Sequence, residues 1–199
     1  MKIRLKNVRT VLVTIGLIGV LLFASPTISL LVKTPSGLKF SELYVLGPNH
    51  TFGNLPFNIV ADVNYSVYLG VVNQMGSSCY YRSYVKIGNE TGSLPNATLG
   101  TPSSLPALYE YNSLLVDGET WETPLTFEVN GLSFSGGISS IAGVTINGLE
   151  FPVNLTSAWD SKNSGYYYYL LVELWLFNSE LDIPQYDNRY VSLFLNMTQ

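Results

Sequence analysis

Cysteine and histidine each occur once, and charged side chains make up only 12% of the 199 residues. A lone thiol, Cys79, forms no internal disulfide, so stability must come from packing and not from cross-links. Cys79 itself reads as a small, buried apolar residue. The single histidine, His50, falls in a turn beside Pro48. It excludes His-rich metal sites, and any Ser-His triad would have to use it. No G-x-S-x-G elbow, Walker loop, dinucleotide fingerprint or D-x-D-x-D-G calcium loop occurs. Glu119 and Glu122 have the look of a carboxylate pair, but beside Gly118 they read as solvated turn acids. The expectation is a protein without catalytic residues, cofactor or metal, and not an enzyme.

Charge is sorted along the chain. Lys2, Arg4, Lys6 and Arg9 precede the first apolar run, Lys33 closes it, and no acid appears before Glu42. From Thr34 onward five basic residues face fourteen acids, a net charge of −9 against −4 for the whole chain. Such an acidic surface argues against a nucleic-acid partner, which needs a basic patch to displace counterions.

Residues 10–32 carry no charge and, as a helix, would extend about 34 Å, enough for a hydrocarbon core of about 30 Å. The basic stub before them predicts a cytoplasmic N-terminus and an exported remainder. Pro26 would kink or end that helix, so two readings stand: an uncleaved transmembrane signal anchor, or a leader cut near Ala24 or Ser29. Apolar residues resume at Ile28, which favours the anchor. The expected division is residues 1–33 as cytoplasmic stub and membrane segment, and 34–199 as an extracellular domain, secreted if the leader is cleaved.

Beyond the linker at 33–37, helical periodicity is scarce and period-two alternation is common. In residues 64–73, Tyr65, Val67, Leu69 and Val71 share a face; in 79–87, Cys79, Tyr81, Val85 and Ile87 oppose Tyr80, Arg82, Tyr84 and Lys86. Leu125, Phe127 and Val129 are in phase, as are Val191, Leu193, Leu195 and Met197. Asn147-Gly148 between two apolar arms predicts a two-residue hairpin, and Pro152 marks the second arm as an edge or a strand end. Residues 166–178 are apolar on both faces, which predicts a central strand covered on each side. Seven to ten short strands with turns between them give an all-β class and an immunoglobulin-like β-sandwich behind one N-terminal helix.

Six Asn-x-Ser/Thr sites occur, at Asn49, Asn64, Asn89, Asn96, Asn154 and Asn196, where composition predicts about three. Asn64 and Asn196 fall on faces predicted to meet solvent, so N-linked glycans and a glycoprotein are expected. Tyr167, Tyr169, Trp175 and Phe177 form an aromatic face of the longest strand. It suits sugar rings or another subunit, against the alternative of packing inside its own domain.

The segments ELYVLGP (42–48), YLGVVN (68–73), LVDGETW (115–121), ELWLFN (173–178) and RYVSLFLNMT (189–198) resemble the archaeal family named domain of unknown function 1616. The resemblance implies an archaeal envelope protein with an immunoglobulin-like exterior domain beside membrane helices, and it brings no catalytic residues. The expected function is a non-catalytic structural or interaction module on the cell surface, with other envelope proteins or its own subunits as partners. The alternatives are a carbohydrate-binding module using the aromatic face, or a filament subunit whose segment 36–46 adds a strand to a neighbour.

Overall fold

The computed structural model describes residues 13–14, 38–92 and 94–198, and the chain divides into Met1–Leu38 and Lys39–Gln199. Val13 and Thr14 are helical; the rest of the segment expected to anchor or be cleaved lies outside the described residues. Among the described residues no helix is long and apolar enough to cross a membrane.

The second unit is all-β, with eleven strands: β1 Phe40–Leu46, β2 Asn58–Ile59, β3 Tyr65–Gln74, β4 Cys79–Asn89, β5 Tyr109–Leu115, β6 Thr120–Asn130, β7 Ser133–Ser135, β8 Ile138–Ile146, β9 Leu149–Ala158, β10 Tyr167–Asn178 and β11 Ile183–Met197. One sheet runs β1-β3-β6-β8, with β7 and β9 also paired to β8; the other runs β2-β11-β10-β4-β5. All pairings are antiparallel except the short one of β2 with β11.

Alternation places the core. Val67 and Leu69 of β3, Leu125, Phe127 and Val129 of β6, and Val144 and Ile146 of β8 project from the first sheet. Val85 and Ile87 of β4, Tyr168, Leu170 and Val172 of β10, and Leu193, Leu195 and Met197 of β11 meet them from the second. One continuous apolar layer therefore holds two sheets face to face, each buried side chain adding roughly 1.5–3 kcal/mol. The opposite face of β10 is also covered, and β10 lies between β11 and β4, as expected of the strand apolar on both sides.

Local chemistry sets the turns. Asn147 and Gly148 have φ of 48° and 79°, the left-handed pair that a type I′ hairpin requires between β8 and β9. Pro152 lies within β9, opposite Gly143 and next to a register shift between Ile141 and Gly143 of β8. A bulge there absorbs the missing N–H. Of segment 36–46, the donor strand of the filament alternative, residues 40–46 pair along their whole length with β3 of their own sheet. At Gly70 the Tyr44 ring lies where a Cβ would be, 2.0 Å from the ring's Cζ, so only glycine lets β1 seat there.

Where β1 and β11 approach, polar groups close the seam. The Ser41 and Tyr81 hydroxyls are bonded at 3.0 Å, Tyr81 donates to Asn73 Oδ1 at 3.1 Å, and Arg189 Nε donates to the Ser41 carbonyl at 3.2 Å. Burial pushes the Asp187 carboxyl above the usual carboxylate range, with Ser41 and Arg189 pulling it back, and its Oδ2 has no partner within the chain. A carboxyl whose pKa is raised on folding loses stability as pH climbs from its unfolded value through the folded one. Asp187→Asn is therefore expected to raise Tm at pH 7 by about 2–4 °C, the equivalent of roughly 1 kcal/mol. In thermal melts across pH the gain should vanish below about pH 4.

Candidate functional site: an aromatic ledge braced by a buried ion pair

The outer face of the second sheet is built from alternate residues of three strands. β4 contributes Tyr80, Arg82, Tyr84 and Lys86; β10 contributes Tyr169, Leu171, Glu173, Trp175 and Phe177; β11 adds Tyr186. Register places Trp175 between Arg82 on β4 and Tyr186 on β11, and Glu173 beside Tyr84.

The β4–β5 connection, residues 90–108, folds back over half of this face as a strap. Tyr169 donates its hydroxyl to the Gly92 carbonyl at 2.8 Å, and Asn188 Nδ2 donates to the Ala97 carbonyl at 2.9 Å. Leu105 packs so close to Gly88 that a Cβ there would stand 2.6 Å from its Cδ1. Under the strap Lys86 Nζ lies 2.9 Å from the Glu173 carboxylate, their side chains 7% and 0% exposed. Lys86 also donates to the Ser103 carbonyl at 2.9 Å, and Ser103 N returns a 2.6 Å bond to Glu173 Oε1. The other oxygen of Glu173 accepts the Trp175 indole N–H at 3.2 Å. A buried pair of this kind adds little net stability, because desolvation offsets the attraction. What it does is fix geometry: one carboxylate positions the strap through Ser103 and the indole through its N–H.

Past the strap the aromatics come to the surface. Tyr84 meets Trp175 edge to face at 5.6 Å between centroids, Tyr186 lies tilted against it at 5.8 Å, and Tyr80 meets Phe177 edge-on at 6.2 Å. Beside them a cleft of about 390 Å³ is lined by Phe177, Asn178, Glu180, Gln185 and Tyr186 among others. Burial, with the Glu173 charge adding to it, pushes the Tyr186 hydroxyl up to about 12. Neither that hydroxyl nor Arg82 Nε has a hydrogen-bond partner within the chain.

The four aromatics expected to form one surface thus divide. Tyr167 and Tyr169 are 7% and 4% exposed; the first donates to the Asn163 carbonyl and packs on Phe194, and the second lies beneath the strap. Trp175 and Phe177 stay half-buried and form the ledge. Tyr84 and Tyr186 were not anticipated beside them. Alternation gave the face on which Tyr84 lies but did not reach Tyr186, and no spacing in the sequence reveals which strands are neighbours.

The sequons also divide. Asn49, Asn64, Asn96 and Asn154 are exposed, whereas Asn89 and Asn196 are half-buried with their amides engaged. Asn89 Nδ2 donates to the Thr156 carbonyl at 2.6 Å. Asn196, expected to face solvent, bonds Asn58 Oδ1 through Nδ2 and the Tyr166 N–H through Oδ1. Its parity is outward, but the 163–166 turn and β2 lie against it. Glycan mapping by mass spectrometry of protein from a glycosylating host should find sugar among the four exposed sites. Less than about a tenth of Asn89 and Asn196 should be modified, because a glycan there has to displace the bond its amide nitrogen already makes.

A second constellation lies on the first sheet. His50 Nδ1 approaches Glu122 Oε1 at 2.5 Å, its ring stacks on Tyr68 at 3.8 Å, and Tyr44 donates to Glu122 Oε2 at 3.3 Å. Glu122 is in β6 and not in a turn; Glu119 is in the turn, its Oε2 accepting the Val116 N–H at 2.9 Å. Each carboxylate therefore has its own task, and the two do not act as a pair.

No curated protein matches the chain. A beta-glucosidase from Listeria innocua aligns with a TM-score of 0.41 and 10% identity over 80% of this chain, which spans only 16% of that enzyme's length. The C-terminal domain of wzt aligns with a TM-score of 0.38 and 13% identity, over 82% of this chain and 76% of its own. Neither likeness is close enough to bear on function. The family model described as Domain of unknown function (DUF1616) matches residues 34–133, which take in β1 through β6. With half its length so matched, the chain belongs to the DUF1616 family.

Proposed function

We propose that this protein is a non-catalytic recognition module, displayed outside the cell membrane on its N-terminal apolar segment, that binds carbohydrate through Trp175 and Phe177. The observation carrying this reading is the immobilised indole. Its N–H is held by Glu173 and its ring by Tyr84 and Tyr186, while the residue stays half-exposed. A platform ordered before its ligand arrives avoids much of the entropy that binding otherwise costs. Aromatic faces stack on the C–H faces of sugar rings, and the amides of Asn178 and Gln185 beside them supply donors and acceptors for hydroxyls.

The basic stub, the apolar run at 10–32 and the acidic, sequon-bearing remainder support display at an envelope, archaeal if the family resemblance extends so far. The strand orders β1-β3-β6 and β11-β10-β4-β5 support an immunoglobulin-like core, with the β8–β9 hairpin added at one side. Assembly by donation of segment 36–46 is the weaker reading, since β1 is already consumed by its own sheet.

The test is a glycan array followed by calorimetry on the best ligand. Trp175→Ala should weaken binding roughly thirty-fold, as expected of a central hot-spot residue, and Phe177→Ala should weaken it less. Undiminished affinity in both variants would overturn the assignment.

A further inference from the structure

We propose that the ledge selects acidic sugars, with Arg82 as the group that reads their carboxylate or sulfate. The inference rests on the carbohydrate reading and adds the ligand's charge to it. Among the described residues the ion pairs are His50–Glu122 and Lys86–Glu173, so Arg82 is not neutralised by contact with any carboxylate. Glu110 on β5 acts on the Arg82 charge without forming an ion pair with it, and its Oε1 accepts from Asn112 Nδ2 at 2.8 Å. Arg82 stands in the middle of the aromatic platform, opposite Trp175 in β10 and Asn112 in β5, between Tyr80 and Tyr84 on its own strand. The Tyr84 and Tyr80 side chains hydrogen-bond its guanidinium, and among the described residues only its buried Nε lacks a partner.

A guanidinium presents a planar fork that matches a carboxylate or sulfate bidentately, which no neutral hydroxyl does. The exported region carries a net charge of −9 and would repel anions generally. A single cation without an ion pair, beside an ordered indole, therefore favours one anionic group delivered at short range. In this arrangement a uronic acid ring lies over Trp175 and turns its carboxylate toward Arg82.

Calorimetry with a galacturonic acid tetrasaccharide and its fully methyl-esterified, neutral counterpart tests this on the same sugar skeleton. The unaltered protein should bind the acid form at least ten-fold more tightly. Arg82→Gln should bring the acid-to-ester ratio below two-fold, whatever it does to the ester affinity itself, and Arg82→Lys should restore part of the preference. Trp175→Ala should weaken both ligands. Equal binding of acid and ester by the unaltered protein, or a preference that survives Arg82→Gln, overturns the proposal and leaves the carbohydrate reading standing. Failure to bind either sugar removes both. Competition by a tetraglutamate peptide as strong as by the sugar overturns it in favour of an acidic protein partner. Thermal melts of each variant check that the fold is retained.

Discussion

Lys86→Met is expected to lower the melting temperature by about 10 °C, the effect of losing roughly 3–5 kcal/mol in a domain of this size. The methionine side chain fills much of the same space, so the loss comes from charge and not from volume. Glu173 has no exposure to water, and its remaining donors, Ser103 N and Trp175 Nε1, do not neutralise it. Lys86 also holds the strap through the Ser103 carbonyl, so cleavage by a protease within residues 90–106 should accelerate in the same variant. The companion Lys86→Met, Glu173→Leu double variant should recover most of the melting temperature, since an apolar pair of similar size escapes the desolvation cost. It should not recover ligand binding, because the indole N–H loses its acceptor. A single variant as stable as the unaltered protein would show that the strap holds without the pair.

Asn73→Ala should cost about 3–4 kcal/mol, measured as a shifted midpoint in urea at unchanged slope. The side chain is wholly buried and makes four hydrogen bonds. Its Nδ2 donates to the Ser77 and Leu115 carbonyls at 2.8 and 2.9 Å, and its Oδ1 accepts from the Met75 N–H and the Tyr81 hydroxyl at 3.0 and 3.1 Å. Alanine removes all four bonds in a region closed by Tyr81, Leu115, Val71 and Leu174, although the Tyr81 hydroxyl keeps Ser41 and the Ser77 carbonyl keeps the Cys79 thiol. Asn73→Asp should be worse still: it keeps the two accepted bonds, removes both donated ones and buries a charge. An alanine variant within about 0.5 kcal/mol of the parent would mean that water reaches the seam and replaces the amide.

The strands that sequence pattern revealed are those with one apolar and one polar side, or with two apolar sides. β3, β4, β6 and β10 fall within a residue or two of their alternating stretches, β11 begins at Ile183, eight residues before Val191, and the Asn147-Gly148 hairpin lies where its dipeptide puts it. β5, with the pattern YEYNSLL, and the short β2 and β7 gave no such signal. Their pairing is supplied by neighbours and not by their own side chains. β1 reads as extended but not as paired, because FSELYVL carries no mark of the Gly70 floor on which Tyr44 rests.

The candidate site was half legible. Trp175 and Phe177 stand on the expected face, whereas Tyr167 and Tyr169 on the same face are covered by contacts from residues far away in the chain. The strap that covers Tyr169 belongs to a segment whose polarity reads as an ordinary loop. Lys86 and Glu173, 87 positions apart, and His50 and Glu122, 72 apart, look like unremarkable surface charges until strands are set side by side.

Periodicity alone settles an all-β chain, the faces its strands bury and the turns between several of them. These follow from a backbone that points successive side chains to opposite sides and from a few residues able to adopt positive φ. Which strands lie next to one another, and therefore that a carboxylate holds an indole and a lysine while an arginine without an ion pair stands beside them, was decided only in three dimensions. Parity is a local property of the chain; neighbourhood is set by long-range pairing and by loops that fold back, and its energy resides in contacts that no window of sequence contains.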